Sequence, residues 1–344
     1  MFITPLIAAP MAGGTTTAAL ALAAQGAGAF AFAAGGYKTA EQLADHIAPL
    51  RATGVDFGVN LFVPRSTPLA ASAAAELAAY RSELLDTASR YGAEAPLAAP
   101  PQQDPRVQDF WDEKLALLLA DPVPVVSFTF GLASADEVAQ LHKAGTRVVA
   151  SVTSAQEAAA AAATGVDALM VQHANAGGHT AAFLPSGDTS GAHATLPQLL
   201  TEVRSAVSLP LVGAGGVSSP EEAKAALAAG AIAVALGTAL IRTDESGARA
   251  LHKNALADPA YTHTAMTRAF TGKPARALVN DFVRDHSATA PDAYPEVHFL
   301  TAPLRAAAAA ANDPQAVNLW AGTGWKSAQA GPAAAVIAEF LHEL

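Results

Sequence analysis

Eight short apolar runs recur along the chain, and amphipathic helical patterns separate most of them. The runs are "PLIAAP" from Pro5, "GAFAFAA" from Gly28, "DFGVNLF" from Asp56, "VPVVSFTF" from Val123, "TRVVASVT" from Thr146, "DALMVQ" from Asp167, "LPLVGAG" from Leu209 and "AIAVALGT" from Ala231. Several of the intervening helices open on a Ser or Thr cap with acid in the first turn, as in "TAEQLADHI", "SADEVAQLHKAG", "SAQEAAA" and "SPEEAKAALAAG". Gly54, Gly145, Gly165 and Gly230 close helices, and the next apolar run starts one or two residues later. Strand alternating with helix predicts βαβ units and a parallel sheet. A count of eight predicts an α/β fold of the (β/α)8 TIM-barrel kind. A doubly wound open sheet is the competitor that repeat count alone leaves standing.

Two stretches exceed what the repeat needs. Residues 64–122 hold extra helix and a proline-rich patch, "EAPLAAPPQQDP". Residues 246–320 follow the eighth run, where an excursion would cover the C-terminal face on which barrel active sites lie. The expected organisation is a barrel over 1–245 with extra helices at 64–122. A helical lid or substrate segment follows over 246–320, then a C-terminal helix within 321–344 packed on the barrel. The chain has 344 residues, 51% of them hydrophobic, which suffices for one large unit with insertions. Alanine-rich stretches such as "LRAAAAAAN" read as helix-favouring bias.

Composition removes several functions. A net charge of −10 with no basic cluster argues against a nucleic-acid partner. The absence of cysteine excludes disulfides, thiolate metal sites, thiolate-held iron–sulfur clusters and a cysteine nucleophile. No apolar run reaches membrane-spanning length. The stretch "MFITPLIAAPMAGG" lacks the basic region of an export signal. A cytoplasmic enzyme is therefore expected, with no membrane partner and with a homodimer as one assembly open to it.

In a barrel the ends of the strands carry the chemistry. Ala9, Pro10, Met11 and Ala12 follow the first strand, and "VNLFVP" comes after the third, with Asn60 expected to point at the barrel mouth. Gln172 ends the sixth and leads into Ala176, Gly177, Gly178 and His179. Gly215 and Gly216 follow the seventh; Ala235, Leu236, Gly237 and Thr238 end the eighth. Phosphate sites in such barrels are built from the loops after strands seven and eight and a helix N-terminus. "GAGGVSSPEEA" and "ALGT" offer bare backbone N–H groups and a hydroxyl, which hold a phosphate monoester without Lys or Arg. A histidine placed directly after a strand-end Gly-Gly is a candidate catalytic residue.

The stretches "PLIAAPMAGG", "FGVNLF", "VQHANAGGH", "PLVGAGGV", "ALGTALI", "AFTGKPARALVNDF" and "LWAGTGW" fall in an order and spacing that resemble the nitronate monooxygenases, formerly called 2-nitropropane dioxygenases. The resemblance runs over nearly the whole chain and implies an FMN enzyme on a TIM barrel. It implies that Asn60 and Gln172 bond the flavin ring or its ribityl chain, and that Gly177 and Gly178 let the backbone pass close to it. It implies that Gly215, Gly216, Gly237 and Thr238 hold the phosphate, and that His179 is catalytic beside flavin and substrate. The reaction implied is oxidation of alkyl nitronates, such as propionate 3-nitronate, by O2 to a carbonyl compound and nitrite. A nitronate is an anion already deprotonated at carbon, so the protein's tasks are to bind, orient and stabilise charge. The chain departs from the family pattern at His173, at Asn175, and at Thr129, where many members carry histidine.

Two other functions stay open from sequence. One is an NAD(P)H-dependent flavin reductase of quinones or enoyl thioesters, for which Arg65, Lys273 and Arg276 are the basic candidates. The other is an FMN-binding protein without chemistry. Lys273 and Arg276 read equally as anion partners or as a solvated pair. Trp320 and Trp325 read as packing. His193, in a polar loop, reads as exposed. His263, in "YTHTAM", has no second ligand in view, so no metal is expected.

Overall fold

The computed structural model of the chain describes residues 4–66, 69, 71–93, 100, 103–184 and 195–344. Its strands, in chain order, are β1 (Leu6–Ala8), β2 (Phe30–Ala34), β3 (Gly58–Phe62), β4 (Val125–Thr129), β5 (Arg147–Val152) and β6 (Ala168–Gln172). Then come β7 (Gly178–His179), β8 (Leu211–Ala214), β9 (Ala233–Leu236), β10 (Thr264–Thr267) and β11 (Ala275–Leu278). Eight of them close in the order β1-β2-β3-β4-β5-β6-β8-β9, every pair parallel. Closure comes from β1 on β9, with Ile7 opposite Ala235. That pairing excludes the open sheet, and each barrel strand lies within one of the eight apolar runs.

The local chemistry is what the sequence predicts. Thr39, Ser134, Thr195 and Ser219 each cap a helix and form a capping box with Gln or Glu three residues on. Strand side chains alternate between two cores. Ile7, Phe30, Phe32, Val125, Val149, Met170 and Val212 fill the barrel, while Leu6, Val59, Phe128, Leu169 and Leu236 face the helical layer. The helix Ala333–Glu343 packs on the barrel through Val336, Ile337 and Phe340.

The excursions differ from the expectation in two ways. The helix Ala71–Arg90 does not pack on the barrel: its Tyr80, Leu84 and Ala88 join a separate core with Phe270, Phe282, Val297, Leu300 and Trp325. The segment after β9 is not purely helical. It carries the antiparallel hairpin β10–β11, and β7 adds to β11 as a third strand, with His179 opposite Ala275 and Gly178 opposite Arg276. This cap therefore grips the loop that leaves β6. Most of the proline-rich patch lies outside the described residues, as does His193. No described helix is long and apolar enough to cross a membrane.

Candidate active site

A cavity of about 510 Å³ opens at the C-terminal ends of the barrel strands, beneath the cap. Its size lies in the range of small-molecule and cofactor sites, about 300–1,000 Å³. Ala9, Pro10, Met11, Ala12, Asn60, Gln172, Ala176, Gly177, Gly178, His179, Gly215, Gly216, Ala235, Gly237 and Thr238 all line it. Leu236 does not: its side chain is fully buried in the outer core, and its backbone oxygen accepts from Ala9 N–H at 2.9 Å.

One end of the cavity is a backbone cradle. Gly215 and Gly216 have φ of +96° and +81°, the left-handed region that favours glycine. A Cβ on Gly215 would lie 2.6 Å from the His173 carbonyl oxygen, and one on Gly216 would lie 2.8 Å from the Asn175 Cβ. Among the described residues none accepts from the N–H groups of Gly215, Gly216, Gly237 or Thr238. These donors suit a phosphate. The helix Pro220–Ala228 adds less than the sequence suggests, because Glu222 Oε2 already accepts from Ser218 N–H (2.6 Å) and Ser219 N–H (3.1 Å). The Thr238 hydroxyl accepts from Gly322 N–H at 3.0 Å, so the stretch 320–324 forms a further wall. A Cβ on Gly177 would meet Gly322 N at 2.5 Å, which makes close approach of two backbones the visible demand on that glycine.

His179 enters through β7. Its Nε2 lies 2.9 Å from Thr271 Oγ1, and its ring packs near Phe130, Tyr294 and Trp320, with centroids 5.6, 5.7 and 5.2 Å away. With the Thr271 proton directed to Lys273 O (3.3 Å), Nε2–H donates to Thr271 and Nδ1 is the basic nitrogen. Desolvation first, then the nearby charges of Lys273 and Arg305, lower its pKa to about 3, so the imidazole is neutral throughout the physiological range.

Gln172 holds this loop. Its Nε2 donates to His179 O (3.1 Å) and its Oε1 accepts from Ala181 N–H (2.7 Å). Glu157 continues the brace, accepting from Phe183 and Leu184 N–H at 2.6 and 2.9 Å. Lys273 Nζ donates to Ala182 O (2.8 Å) and Arg276 Nε to Ala174 O (2.9 Å), so both basic residues strap the same loop. Arg65 pairs with Glu296 at 2.7 Å. His173 is buried, with Nδ1 accepting from Asn175 N–H, and does not line the cavity. His263 is exposed and bonds Thr262. Trp325 packs in the cap core, whereas Trp320 lines the cavity.

Asn60 Nδ2 donates to Ser127 Oγ (3.0 Å) and Thr129 Oγ1 (2.9 Å), and Thr129 meets Ser151 Oγ at 3.2 Å. A row of neutral polar groups, the Asn60 amide on β3 and hydroxyls on β4 and β5, thus crosses three strands with Thr129 as its centre.

Another part of the lining is aromatic and cationic, and sequence reasoning did not find it. Tyr37, His298, Arg249 and Arg305 line it. Tyr37 stacks on His298 with centroids 4.5 Å apart and planes 3° from parallel. Arg305 donates to Thr301 Oγ1 (3.0 Å), Asn318 Oδ1 (3.1 Å) and His298 O (3.0 Å), all neutral partners. Burial lowers its pKa only to about 10, so it stays charged. No Asp or Glu occurs among the described lining residues, in a chain whose net charge is −10. The cavity is built for an anion.

A profile of the nitronate monooxygenase family matches residues 1–343. The chain is similar to a nitronate monooxygenase of Paraburkholderia phytofirmans, with 36% identity over 99% of this chain and 92% of that one. It is similar to a probable nitronate monooxygenase of Bacillus subtilis, with 33% identity over 94% of this chain and 90% of the relative. Among solved structures, the nitroalkane oxidase from Streptomyces ansochromogenes superposes with a TM-score of 0.93 and 45% identity, covering 100% of this chain and 96% of that one.

Proposed function

Because the chain belongs to the nitronate monooxygenase family of oxidoreductases, we propose that it binds FMN and oxidises alkyl nitronates with O2, giving a carbonyl compound and nitrite. The observation that carries this reading is the anion-accepting cavity, whose one lining joins the glycine cradle, the neutral His179 and the charged Arg305. Gly215, Gly216, Gly237 and Thr238 would hold the phosphate of FMN, and Asn60 would face the ring system. FMN, when bound, supplies the redox chemistry. The protein binds the anion, orients it and keeps water from it.

The His179 pKa favours nitronates over the parent nitroalkanes. A base held at about 3 takes a proton from carbon slowly, and a nitronate needs no such step. Propionate 3-nitronate suits the cavity further, because its carboxylate would meet Arg305, whose hydrogen-bond partners Thr301, Asn318 and His298 carry no charge. The reductase reading loses support, since Arg65, Lys273 and Arg276 are each bound within the protein rather than free for nicotinamide-cofactor phosphates. A cytoplasmic location belongs to the same proposal.

The test is a visible spectrum of the purified protein, then propionate 3-nitronate with O2 uptake and nitrite followed together. A yellow protein that consumes O2 and releases nitrite supports the reading. Anaerobic bleaching by NADPH, with no response to nitronate, overturns it in favour of the reductase.

Arg305 gives a sharper expectation. Arg305→Gln raises KM for propionate 3-nitronate about 10- to 100-fold, the equivalent of one charge-assisted hydrogen bond of about 1.5–3 kcal/mol. KM for neutral 2-nitropropane changes less than about threefold, because no ion pair is lost. Steady-state kinetics on both substrates decides it; an equal rise would mean a packing defect rather than anion recognition.

A further inference from the structure

Tyr37 follows β2 in the left-handed region, with φ of +65°, and its ring forms one wall of the cavity. Left-handed backbone is uncommon for a bulky residue and persists where surroundings over-determine it. Here the restraint lies outside the cavity. Asp109 Oδ1 accepts from Tyr37 N–H at 2.7 Å, and Asp109 Oδ2 meets Lys114 Nζ at 2.6 Å. Lys114 also donates to Gly35 O at 3.0 Å, so the pair holds the β2 exit at two points. Lys114 is 1% exposed. Asp109 and Phe110 are themselves left-handed, with φ of +50° and +53°.

What the clamp orients reaches toward His179. Tyr37 stacks on His298, its edge meets Phe62 at 5.4 Å, and its hydroxyl accepts from Tyr294 OH at 3.2 Å. Tyr294 in turn packs near His179. A Tyr37 released to ordinary backbone would swing its ring away from His298 and widen the Arg305 end.

We propose that Asp109 and Lys114 are positioning residues that hold Tyr37 in its left-handed conformation and thereby set the shape of the substrate end of the cavity. This rests on nitronate oxidation as the activity read out, while the clamp has a readout of its own. The pair was invisible from sequence because one partner lies just before, and the other within, the helix Trp111–Ala120 on the outer face of the barrel.

Two charge-free double variants isolate the Tyr37 bond from the ion pair. Asp109→Asn with Lys114→Met keeps an acceptor for Tyr37 N–H; Asp109→Ala with Lys114→Met does not. Both are compared as FMN-loaded proteins with propionate 3-nitronate. The Ala form is expected to raise KM at least tenfold with kcat within threefold, and the Asn form to restore KM to within threefold of the parent. Deuterium uptake of the peptide spanning residues 35–38 rises in the Ala form only. Equal KM values, or equal uptake, in the two double variants overturn the proposal. Tyr37→Gly is the second route should the Ala form not fold. Glycine keeps the left-handed backbone and the N–H bond but lacks the ring, so KM rises as in the Ala form, and an unchanged KM overturns the proposal. If the unaltered protein shows no nitronate turnover, the proposed function fails, and the uptake comparison still decides the clamp.

Discussion

Replacing His179 by asparagine is expected to lower turnover of a neutral nitroalkane about 10²-fold, the low end of the range that one general base supplies because its pKa lies far below the working pH, while turnover of the matching nitronate falls by about tenfold or less. The asymmetry follows from where the proton is. A neutral nitroalkane must lose one from carbon, and Nδ1 of His179 is the unprotonated nitrogen available when Nε2 donates to Thr271. A nitronate arrives without that proton and needs only hydrogen bonding and orientation. The pH dependence carries a second expectation. A pKa lowered to about 3 keeps the imidazole in its base form at every pH above that value, so the parent enzyme shows no limb from His179 between pH 5 and 8. Initial rates on 2-nitropropane and its nitronate, each from pH 5 to 8, check both. An equal loss on the two substrates would assign His179 to anion binding instead.

Gly215→Ala is expected to weaken FMN binding at least about 100-fold, the equivalent of two hydrogen bonds to a charged group at about 1.5 kcal/mol or more each, and to leave the barrel folded. The added Cβ would sit 2.6 Å from the His173 carbonyl and 3.1 Å from Ala176 N, both backbone atoms that cannot rotate aside. The loop must shift, and the N–H groups of the cradle shift with it. Left-handed strain alone costs about 1–2 kcal/mol in such a substitution, so a control is needed. Gly54→Ala provides it: φ there is +68°, with nothing within 4 Å of the added Cβ. Flavin fluorescence titration with circular dichroism separates the two. Gly54→Ala loses some stability and keeps FMN; Gly215→Ala loses FMN. Retention of the cofactor in Gly215→Ala would remove the cradle from the phosphate site.

The barrel was legible because its signals are local. A strand of four or five apolar residues, a Ser or Thr cap and a terminal glycine can each be read within a dozen residues, and their repetition gives the count. The strand-end rule then located the loops after β1, β3, β6, β8 and β9, which together line one cavity. The cap was less legible. Its strands "TAMT" and "ARAL" are short, and their third partner is the two-residue β7, more than 80 positions earlier in sequence. Its core joins the helix Ala71–Arg90 to residues beyond 240, a pairing that no local period encodes. Arg305 was hidden inside "LRAAAAAAN", where alanine bias masked a charged cavity residue. Tyr37 was findable: it stands just past β2, where the same rule that selected Ala9 and Gly215 would have selected it.

The pairing of β7 with β11 has a consequence for how the enzyme can vary. His179 stands on a ladder of only two rungs, opposite Ala275. Successive side chains in a strand point to opposite faces, so a slip of one residue turns the imidazole away from the cavity. One residue inserted between Lys273 and Ala275 would leave every wall of the cavity chemically intact and still disarm it. The reactive geometry is in this sense a matter of counting. Exposed hairpin positions such as Met266 can drift in composition, but the hairpin's length up to Ala275 is bound to the length of the loop that leaves the barrel after Gln172.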